Sequence, residues 1–351
     1  MIDPYPEVGS RIGGKYIVMD IAGVGGTALV LKCKNASGKD FAVKRFYPEK
    51  VSAKLRNRIY EEVNLNLQSA YLVTSVHVFE VHNHIFSVMP FVPGKNLGDI
   101  LLACDRLSPE EVCKLGIGIA EAASVLHDHG IISSDIKPDN IIITPQGELR
   151  LIDLTCFERI GNEPEISQGT SYYAAPELLA RRQLTAATDI YSIAMIMLEA
   201  LYGEEFLEQN GLDIAAIRNQ YPRLSRIIQR ATEPMPKDRY ADARSFITDL
   251  NRCLNTAGSE PGCCMTLDNG KQFFIPPGKY VLGRDNIAPG NPYISARQFE
   301  LEFTGSSARI RDIACKNKIF MGNITVGGTW SNIPYSSIIK IANVKLKIEV
   351  K

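Results

Sequence analysis

The sequence has neither an excess of one charge nor a long apolar run. Its 39 basic and 39 acidic residues give a formal net charge of zero, so no global field attracts nucleic acid or an acidic membrane surface. The most apolar long stretch, 190–202, is interrupted by Glu199 and is too short to cross a bilayer. We therefore expect no nucleic-acid partner and no membrane association.

The eight cysteines include no C-x-x-C pair, the spacing common in zinc sites and redox motifs. The N-terminal sequence MIDPYPEVGSR lacks the basic start and apolar run of a signal peptide. Both observations predict a cytoplasmic protein. The composition is 45% hydrophobic and 22% charged, which is ordinary for globular proteins of two or three domains.

A polar loop between two apolar runs is the most informative stretch. Residues 133–140 read SSDIKPDN and separate the apolar segments GII and IIIT. A short strand on each side would hold Asp135, Lys137 and Asn140 where a phosphate, a metal and a hydroxyl could meet. The other segments can be tested for parts that serve this chemistry.

The first segment, 15–46, predicts three antiparallel strands, with the sequences KYIVMDIA, ALVLKCKN and FAVKRF. The turn between the first two contains Gly23, Gly25 and Gly26 and is followed by Val30. Glycines let a backbone approach phosphate oxygens closely. The third strand carries Lys44, which is either a solvated lysine or a phosphate ligand.

The following segment predicts a helix with Leu55, Ile59, Val63 and Leu67 on one face. Glu61 and Glu62 are both candidates to pair with Lys44, and we favour Glu62. Two further strands follow within residues 72–92, and a helix with a capping box at Ser108 is predicted to end at Gly130.

These motifs together resemble a bacterial eukaryotic-like (Hanks-type) Ser/Thr protein kinase domain. The resemblance rests on the glycine turn with Val-Lys, the loop 135–140, the sequence LIDLT at 151–155 and GTSYYAAPE at 169–177. It implies an α+β, bilobal kinase fold over residues 1–255, with an N-lobe of about 1–90 and a C-lobe of about 91–255. It also implies ATP and Mg²⁺ as cofactors and proteins as substrates.

The resemblance assigns a role to each matched residue. Asp135 would orient the acceptor hydroxyl and take its proton, Lys137 would stabilise the γ-phosphate, and Asn140 with Asp153 would hold Mg²⁺. Lys44 would fix the α- and β-phosphates, with Glu62 as its partner. The other nucleotide-binding positions are Gly23, Gly25, Gly26, Val30, Ala42, Met89, Pro90 and Val92.

Near the nucleotide, Pro90 would offer its carbonyl and Val92 its N–H to adenine. Away from it, we expect Asp189 to bind backbone amides of the loop 133–140, and Arg239 to pair with Glu177.

Two motifs depart from the family pattern. Ser133-Ser134 replaces the His-Arg before the catalytic aspartate, and Leu154-Thr155 replaces the Phe-Gly after Asp153. Losing the arginine removes the usual partner of a phosphorylated activation loop, so we do not expect activation by phosphorylation of Ser167, Thr170 or Ser171. The alternative function is a nucleotide-binding pseudokinase that acts as a signalling scaffold.

After a linker at 256–262, residues 263–351 alternate apolar and polar positions, which predicts an all-β unit. It resembles a degenerate forkhead-associated (FHA) domain, a small β-sandwich that binds phosphothreonine peptides. Arg284 and Ser295 would hold phosphate, and Asn317 the peptide backbone.

Two FHA motif positions differ, with Gln298 for histidine and Lys318 for glycine. We expect these changes to weaken the loop scaffold. The alternative is a sandwich without phosphopeptide affinity that docks on the kinase or on another partner.

Overall fold

The computed structural model describes most of the chain. The described residues are 6–65, 67, 69–103, 106–164, 172–203, 221–256, 263–268, 270, 272–275, 278–304, 307–314, 317–334 and 336–350, with backbone alone at 222, 256 and 272–274. The chain divides into two compact units, Met1–Leu212 with Ile227–Arg252 and Asp213–Arg226 with Cys253–Lys351. No helix in the described part is long and apolar enough to span a membrane.

The first unit begins with a six-stranded antiparallel sheet in the order β1-β2-β3-β4-β6-β5. Its strands are β1 (Arg11–Ile12), β2 (Tyr16–Val24), β3 (Ala28–Lys34), β4 (Asp40–Phe46), β5 (His77–Val81) and β6 (His84–Pro90). On β3, alternate residues Leu29, Leu31 and Cys33 are fully buried, so one face of the strand packs on the core. The three antiparallel strands predicted within 15–46 are confirmed as β2, β3 and β4.

Helix α1 (Ala53–Asn64) follows the third of these strands. It begins at Ser52, whose hydroxyl accepts the N–H of Leu55 at 3.1 Å. The predicted extension of this helix to Leu67 is wrong, because the helix ends at Asn64. Leu67 is buried, but it belongs to the segment after the helix. An apolar repeat reports burial but not where the helical hydrogen bonds stop.

The helices that follow α1, up to residue 256, are α2 (Leu97–Ala103), α3 (Pro109–Asp128), α4 (Pro176–Leu179), α5 (Ala186–Tyr202), α6 (Pro222–Ala231) and α7 (Ala243–Thr256). The capping box at Ser108 is confirmed, and Gly130 has φ of 71° just after α3. All residues of α5 are buried, which explains its almost continuous apolar sequence. Gly116 of α3 faces Met197 of α5, and a Cβ there would lie 2.5 Å from the Met197 sulfur, so the methionine side chain would have to shift.

Short strands frame the polar loop found in the sequence. They are β7 (Lys95–Asn96), β8 (Ile131–Ile132), β9 (Ile141–Ile143), β10 (Leu149–Leu151) and β11 (Glu158–Arg159), and they form one sheet in the order β10-β9-β7 and a second that pairs β11 with β8. The loop 133–140 therefore runs from β8 to β9, as its flanking apolar residues predict.

The second unit contains two antiparallel sheets, in the orders β13-β12-β21-β20-β17-β18 and β14-β15-β16-β19. The strands are β12 (Cys263–Leu267), β13 (Gln272–Ile275), β14 (Gly278–Leu282), β15 (Phe299–Phe303), β16 (Ala308–Asp312), β17 (Ile319–Met321), β18 (Ile324–Val326), β19 (Ser331–Ile333), β20 (Ser336–Ile341) and β21 (Val344–Val350); one short helix, α8 (Arg284–Ile287), follows β14. Both sheets contribute to one hydrophobic core. The strand-rich character predicted for this region is confirmed.

Gly283 lies where this unit has no room for a side chain. A Cβ at this position would lie 1.9 Å from the carbonyl oxygen of Ala296. We predict that Gly283→Ala destabilises the second unit by about 2 kcal/mol or more, because backbone atoms must move. Gly327→Ala is the matched control, since a Cβ there meets nothing within 4 Å. Urea unfolding followed by fluorescence of the single tryptophan, Trp330, measures both variants; equal midpoints would contradict the prediction.

Candidate active site

The carboxylate of Asp135 is the centre of the loop between β8 and β9. Lys137 donates from Nζ to Asp135 Oδ2 at 2.9 Å and to Oδ1 at 3.2 Å. Asn140 donates from Nδ2 to the Asp135 backbone oxygen at 2.9 Å and to Oδ2 at 3.1 Å. Burial raises the pKa of Asp135, and the Lys137 cation only partly opposes that shift. The three polar residues predicted to act together do lie together.

Asp189 of α5 fixes the backbone of the loop 133–140 by hydrogen bonds. Its carboxylate is fully buried and accepts the backbone N–H groups of Ser133 at 2.9 Å and Ser134 at 3.0 Å. Ser134 has φ of 56°, a left-handed conformation that is unfavourable for residues other than glycine. The two hydrogen bonds stabilise that turn, and the predicted role of Asp189 is confirmed.

Lys44 and Asp153 form the second part of the site. The Lys44 ammonium lies 2.6 Å from Asp153 Oδ2, and the Thr155 hydroxyl donates to Asp153 Oδ1 at 2.6 Å. Burial alone would raise the pKa of Asp153, but Lys44 and the hydrogen bonds from Thr155 lower it to about 2. Thr155 stands where the family has glycine, and the sequence pattern gave it no role. In the structure it is a hydrogen-bond donor to the Asp153 carboxylate.

Glu62 lies in the same region but does not bind Lys44 directly. Its Oε1 accepts the backbone N–H and the hydroxyl of Ser75, both at 2.9 Å. Burial raises the pKa of Glu62, with only partial opposition from Ser75 and Lys44. Glu62 is buried and Glu61 faces Arg159 at the surface, which favours Glu62 of the two candidates. The predicted direct ion pair is wrong for this structure, because Asp153 takes the lysine and Ser75 takes Glu62.

The residues predicted to bind nucleotide lie along one side of the first sheet. Gly23, Gly25 and Gly26 form the turn that joins β2 to β3, where a Cβ on Gly23 or Gly26 would meet nothing within 4 Å. In register, Val30 pairs with Lys44 and Ala42 pairs with Met89. Pro90 ends β6, and Val92 follows it. Their roles toward a nucleotide stay predictions.

The turn sequence GVGGTALV at 23–30 has Ala28 where the family motif G-x-G-x-x-G-x-V has its last glycine. Its side chain is buried with Phe46, Ile59 and Ile85. The methyl group therefore packs in the core beneath the sheet.

The ion pair between Glu177 and Arg239 is confirmed. Arg239 donates from Nη1 to Glu177 Oε1 at 2.7 Å and from Nη2 to Oε2 at 2.8 Å, and both side chains are buried. A buried, bidentate pair of this kind fixes the segment after residue 172 to the later helices. The acceptor-side residues Gly169, Thr170 and Ser171, together with Ser167, lie outside the described residues.

A second candidate site lies on the loops of the β-rich unit. The Arg284 backbone N–H donates to the Ser295 oxygen at 2.8 Å, its Nε donates to the Ile294 oxygen at 2.9 Å, and Asn317 donates to the oxygen of Tyr293. The structure thus brings Arg284, Ser295 and Asn317 onto neighbouring loops.

Gln298 ties these loops together. It is fully buried, accepts the Ser295 N–H at 3.1 Å and donates to the Asn317 oxygen at 3.2 Å. The expectation that Gln298 weakens the loop scaffold is therefore wrong, because its amide supplies both a donor and an acceptor at this position.

Comparison with known proteins agrees with this geometry. The family described as "Protein kinase domain" matches residues 16–258. The chain belongs to the protein kinase family.

Relatives of this kinase include bacterial enzymes named as serine/threonine kinases. A probable serine/threonine-protein kinase of Clostridium perfringens is 26% identical over 70% of this chain and 39% of its own length. The serine/threonine-protein kinase drp72 of Corynebacterium efficiens is 29% identical over 67% of this chain and 46% of its own length. PknD of Mycobacterium tuberculosis is 25% identical over 73% of this chain and 42% of its own length. The kinase thus matches less than half the length of each of these relatives.

We predict that Asp189→Asn destabilises the kinase domain by about 2 kcal/mol, since one of the two loop amides then loses its buried acceptor. Asp242→Asn is a matched control: its exposed carboxylate accepts the Ser245 N–H at 2.7 Å, a role that asparagine fills equally well. Urea unfolding followed by circular dichroism compares the two. Equal midpoints for Asp189→Asn and wild type would contradict the anchoring role.

Proposed function

We propose that the chain is an ATP-dependent Ser/Thr protein kinase that transfers the γ-phosphoryl group to hydroxyls of protein substrates. The observation that carries this proposal is the placement of Asp135 between Lys137 and Asn140. Phosphoryl transfer requires alignment and charge neutralisation more than covalent help from the protein. A carboxylate held by a cation and an amide fits that requirement.

Asp135 would accept the proton of the attacking hydroxyl. A small surface recess beside it is lined by Lys137, Tyr173, Ala174 and Ser192, so Asp135 borders solvent on the side from which a hydroxyl would approach. Burial raises the pKa of Asp135, which improves it as a base compared with an exposed aspartate. Lys137, next to the carboxylate, would then contact the transferred phosphoryl oxygens.

Asn140 and Asp153 fit a magnesium ion by their chemistry. Asn140 uses its amide N–H on Asp135, which leaves its amide oxygen as a ligand, and Asp153 is ionised because Lys44 and Thr155 lower its pKa to about 2. Carboxylate and amide oxygens are hard ligands that suit this ion. Bound Mg²⁺ would neutralise charge on the phosphate oxygens.

Lys44 would contact the α- and β-phosphates. It is buried on β4 and already binds the Asp153 carboxylate, so an anion in the site would meet a cation held in place. The nucleotide would be enclosed by residues of the first sheet and its turns, namely Gly23, Gly25, Gly26, Val30, Ala42, Met89, Pro90 and Val92.

The free thiols Cys33, Cys156 and Cys263 suit a cytoplasmic location for this activity.

Asp135→Asn is expected to lower phosphoryl transfer about 10³-fold, because asparagine cannot take the proton. The assay follows labelled ATP with Mg²⁺ into a generic basic protein. Asp139→Asn, an exposed aspartate in the same loop, is the matched control and should keep wild-type activity. Equal incorporation of labelled phosphate by Asp135→Asn and wild type would contradict the kinase proposal. Nucleotide binding by wild type without phosphoryl transfer would favour the pseudokinase scaffold.

We also propose that the second unit is FHA-like and binds a phosphothreonine-containing protein. The proposal is supported by the hydrogen-bonded loops that carry Arg284, Ser295 and Asn317, with Gln298 between them. An arginine and a serine hydroxyl are suited to bind phosphate, and the amide of Asn317 to bind a peptide backbone.

Arg284→Ala should weaken binding of phosphothreonine peptides at least about 30-fold, since a charged phosphate contact is lost. Arg297→Ala removes an exposed arginine nearby and should leave affinity unchanged. A peptide array followed by titration calorimetry makes the comparison, with Trp330 fluorescence as a check on folding. If wild type binds no phosphothreonine peptide in the array, the recognition role is wrong.

A further inference from the structure

Three ion pairs connect helix α1 to strand β11. Lys54 lies 3.1 Å from Glu158, Arg58 binds the same carboxylate, and Arg159 of β11 binds Glu61. Residues 54, 58 and 61 are spaced so that they share one face of the helix. We call these five residues the α1–β11 clasp.

Glu158 is the central member of the clasp. Its side chain is 9% exposed, whereas those of Arg58 and Lys54 are 18% and 30% exposed. Breaking a buried pair leaves an uncompensated charge and costs far more than breaking a surface pair. Arg159 and Glu61 are 48% and 42% exposed, so their pair contributes little. The attachment of α1 to β11 through the clasp therefore depends on Glu158.

One end of the clasp reaches the catalytic loop through the backbone. Glu158 pairs in register with Ile132, the residue directly before Ser133. The Ser134 hydroxyl donates to the Cys156 oxygen at 2.5 Å. Strand β11 is thus fixed to the loop that carries Asp135, and it follows Asp153 by only a few residues.

The other end reaches the residues around Lys44. Helix α1 carries Glu62, which is buried and interacts electrostatically with both Lys44 and Asp153. A shift of α1 would move Glu62 relative to these two groups. The clasp therefore links the position of Glu62 to that of the catalytic loop.

We propose that Glu158 is a positioning residue, which holds α1 against the catalytic loop through Lys54 and Arg58. It does so where Ser134 and Leu154 replace the family's arginine and phenylalanine. The inference rests on the proposed kinase activity, and Glu158 itself touches no reacting atom.

Glu158→Gln keeps the shape of the side chain but removes its charge. It is expected to lower kcat about tenfold, because small misplacements of catalytic groups are costly. The KM for ATP should stay within about twofold, since the glycine turn and the β6 end are untouched. Arg56→Gln is the matched control: Arg56 lies on α1 but binds Glu80 of β5, and its loss should leave both constants unchanged.

A charge-reversed pair tests the contact itself. Arg58→Glu and Glu158→Arg should each lower kcat, and the double variant should recover it to within about threefold of wild type. A merely structural role for either residue predicts additive losses. Lys54, Arg58 and Glu158 also line a surface recess, so rising salt should lower the kcat of wild type more than that of Glu158→Gln.

Hydrogen exchange separates this inference from the proposed activity. Amides of 53–64 should exchange faster in Glu158→Gln than in wild type or Arg56→Gln. If wild type transfers no phosphate, the kinase proposal is wrong, and exchange still decides whether Glu158 holds α1. If wild type is active while Glu158→Gln matches it in kcat and in exchange, the positioning role is wrong. Should Glu158→Gln fail to fold, Arg58→Gln serves in both measurements.

Discussion

The buried carboxylate of Asp189 is the interaction on which the catalytic loop depends. A carboxylate without access to water must be satisfied by hydrogen-bonding partners, and here these are the N–H groups of Ser133 and Ser134 and the His127 ring, whose Nε2 lies 2.9 Å from Asp189 Oδ2. The two backbone hydrogen bonds hold Ser134 in a left-handed conformation. The chain leaves that turn with the Asp135 side chain facing Lys137 and Asn140. The geometry of the proposed base is thus set by a residue that touches no substrate.

Charge balance explains the arrangement around Lys44. Two carboxylates, the buried Glu62 and the partly exposed Asp153, lie near one lysine, and one cation cannot neutralise both. Asp153 takes the lysine and is ionised, while burial raises the pKa of Glu62, which binds Ser75. Phosphate oxygens would add negative charge beside Lys44 and change this balance. In this structure the ion pair expected from the family pattern is therefore replaced by two other contacts, Lys44 with Asp153 and Glu62 with Ser75.

The residues that sequence identified are those whose chemistry is local. Asp135, Lys137 and Asn140 lie within one loop, so their spacing alone predicts that they meet. Gln298 and Ser75 were misread or missed, because each acts on partners that only the fold brings near. The choice between neighbouring glutamates at 61 and 62 depends on the rotation of α1, which a hydrophobic pattern fixes only approximately. Spacing alone thus predicts neighbours within a motif, whereas correctly predicted long-range partners, such as Arg239 and Glu177, came from the family resemblance.

The substituted positions show how the site keeps its order with small side chains. Thr155, at the family's glycine position, donates its hydroxyl to Asp153, and Ser134, at the family's arginine position, donates to the Cys156 backbone. Such bonds fix the segments that carry Asp153 and Asp135. Helix α1 is joined to β11, which follows these segments, by the ion pairs of Glu158 with Lys54 and Arg58. These contacts join α1, β11 and the catalytic loop through the protein's own side chains and backbone.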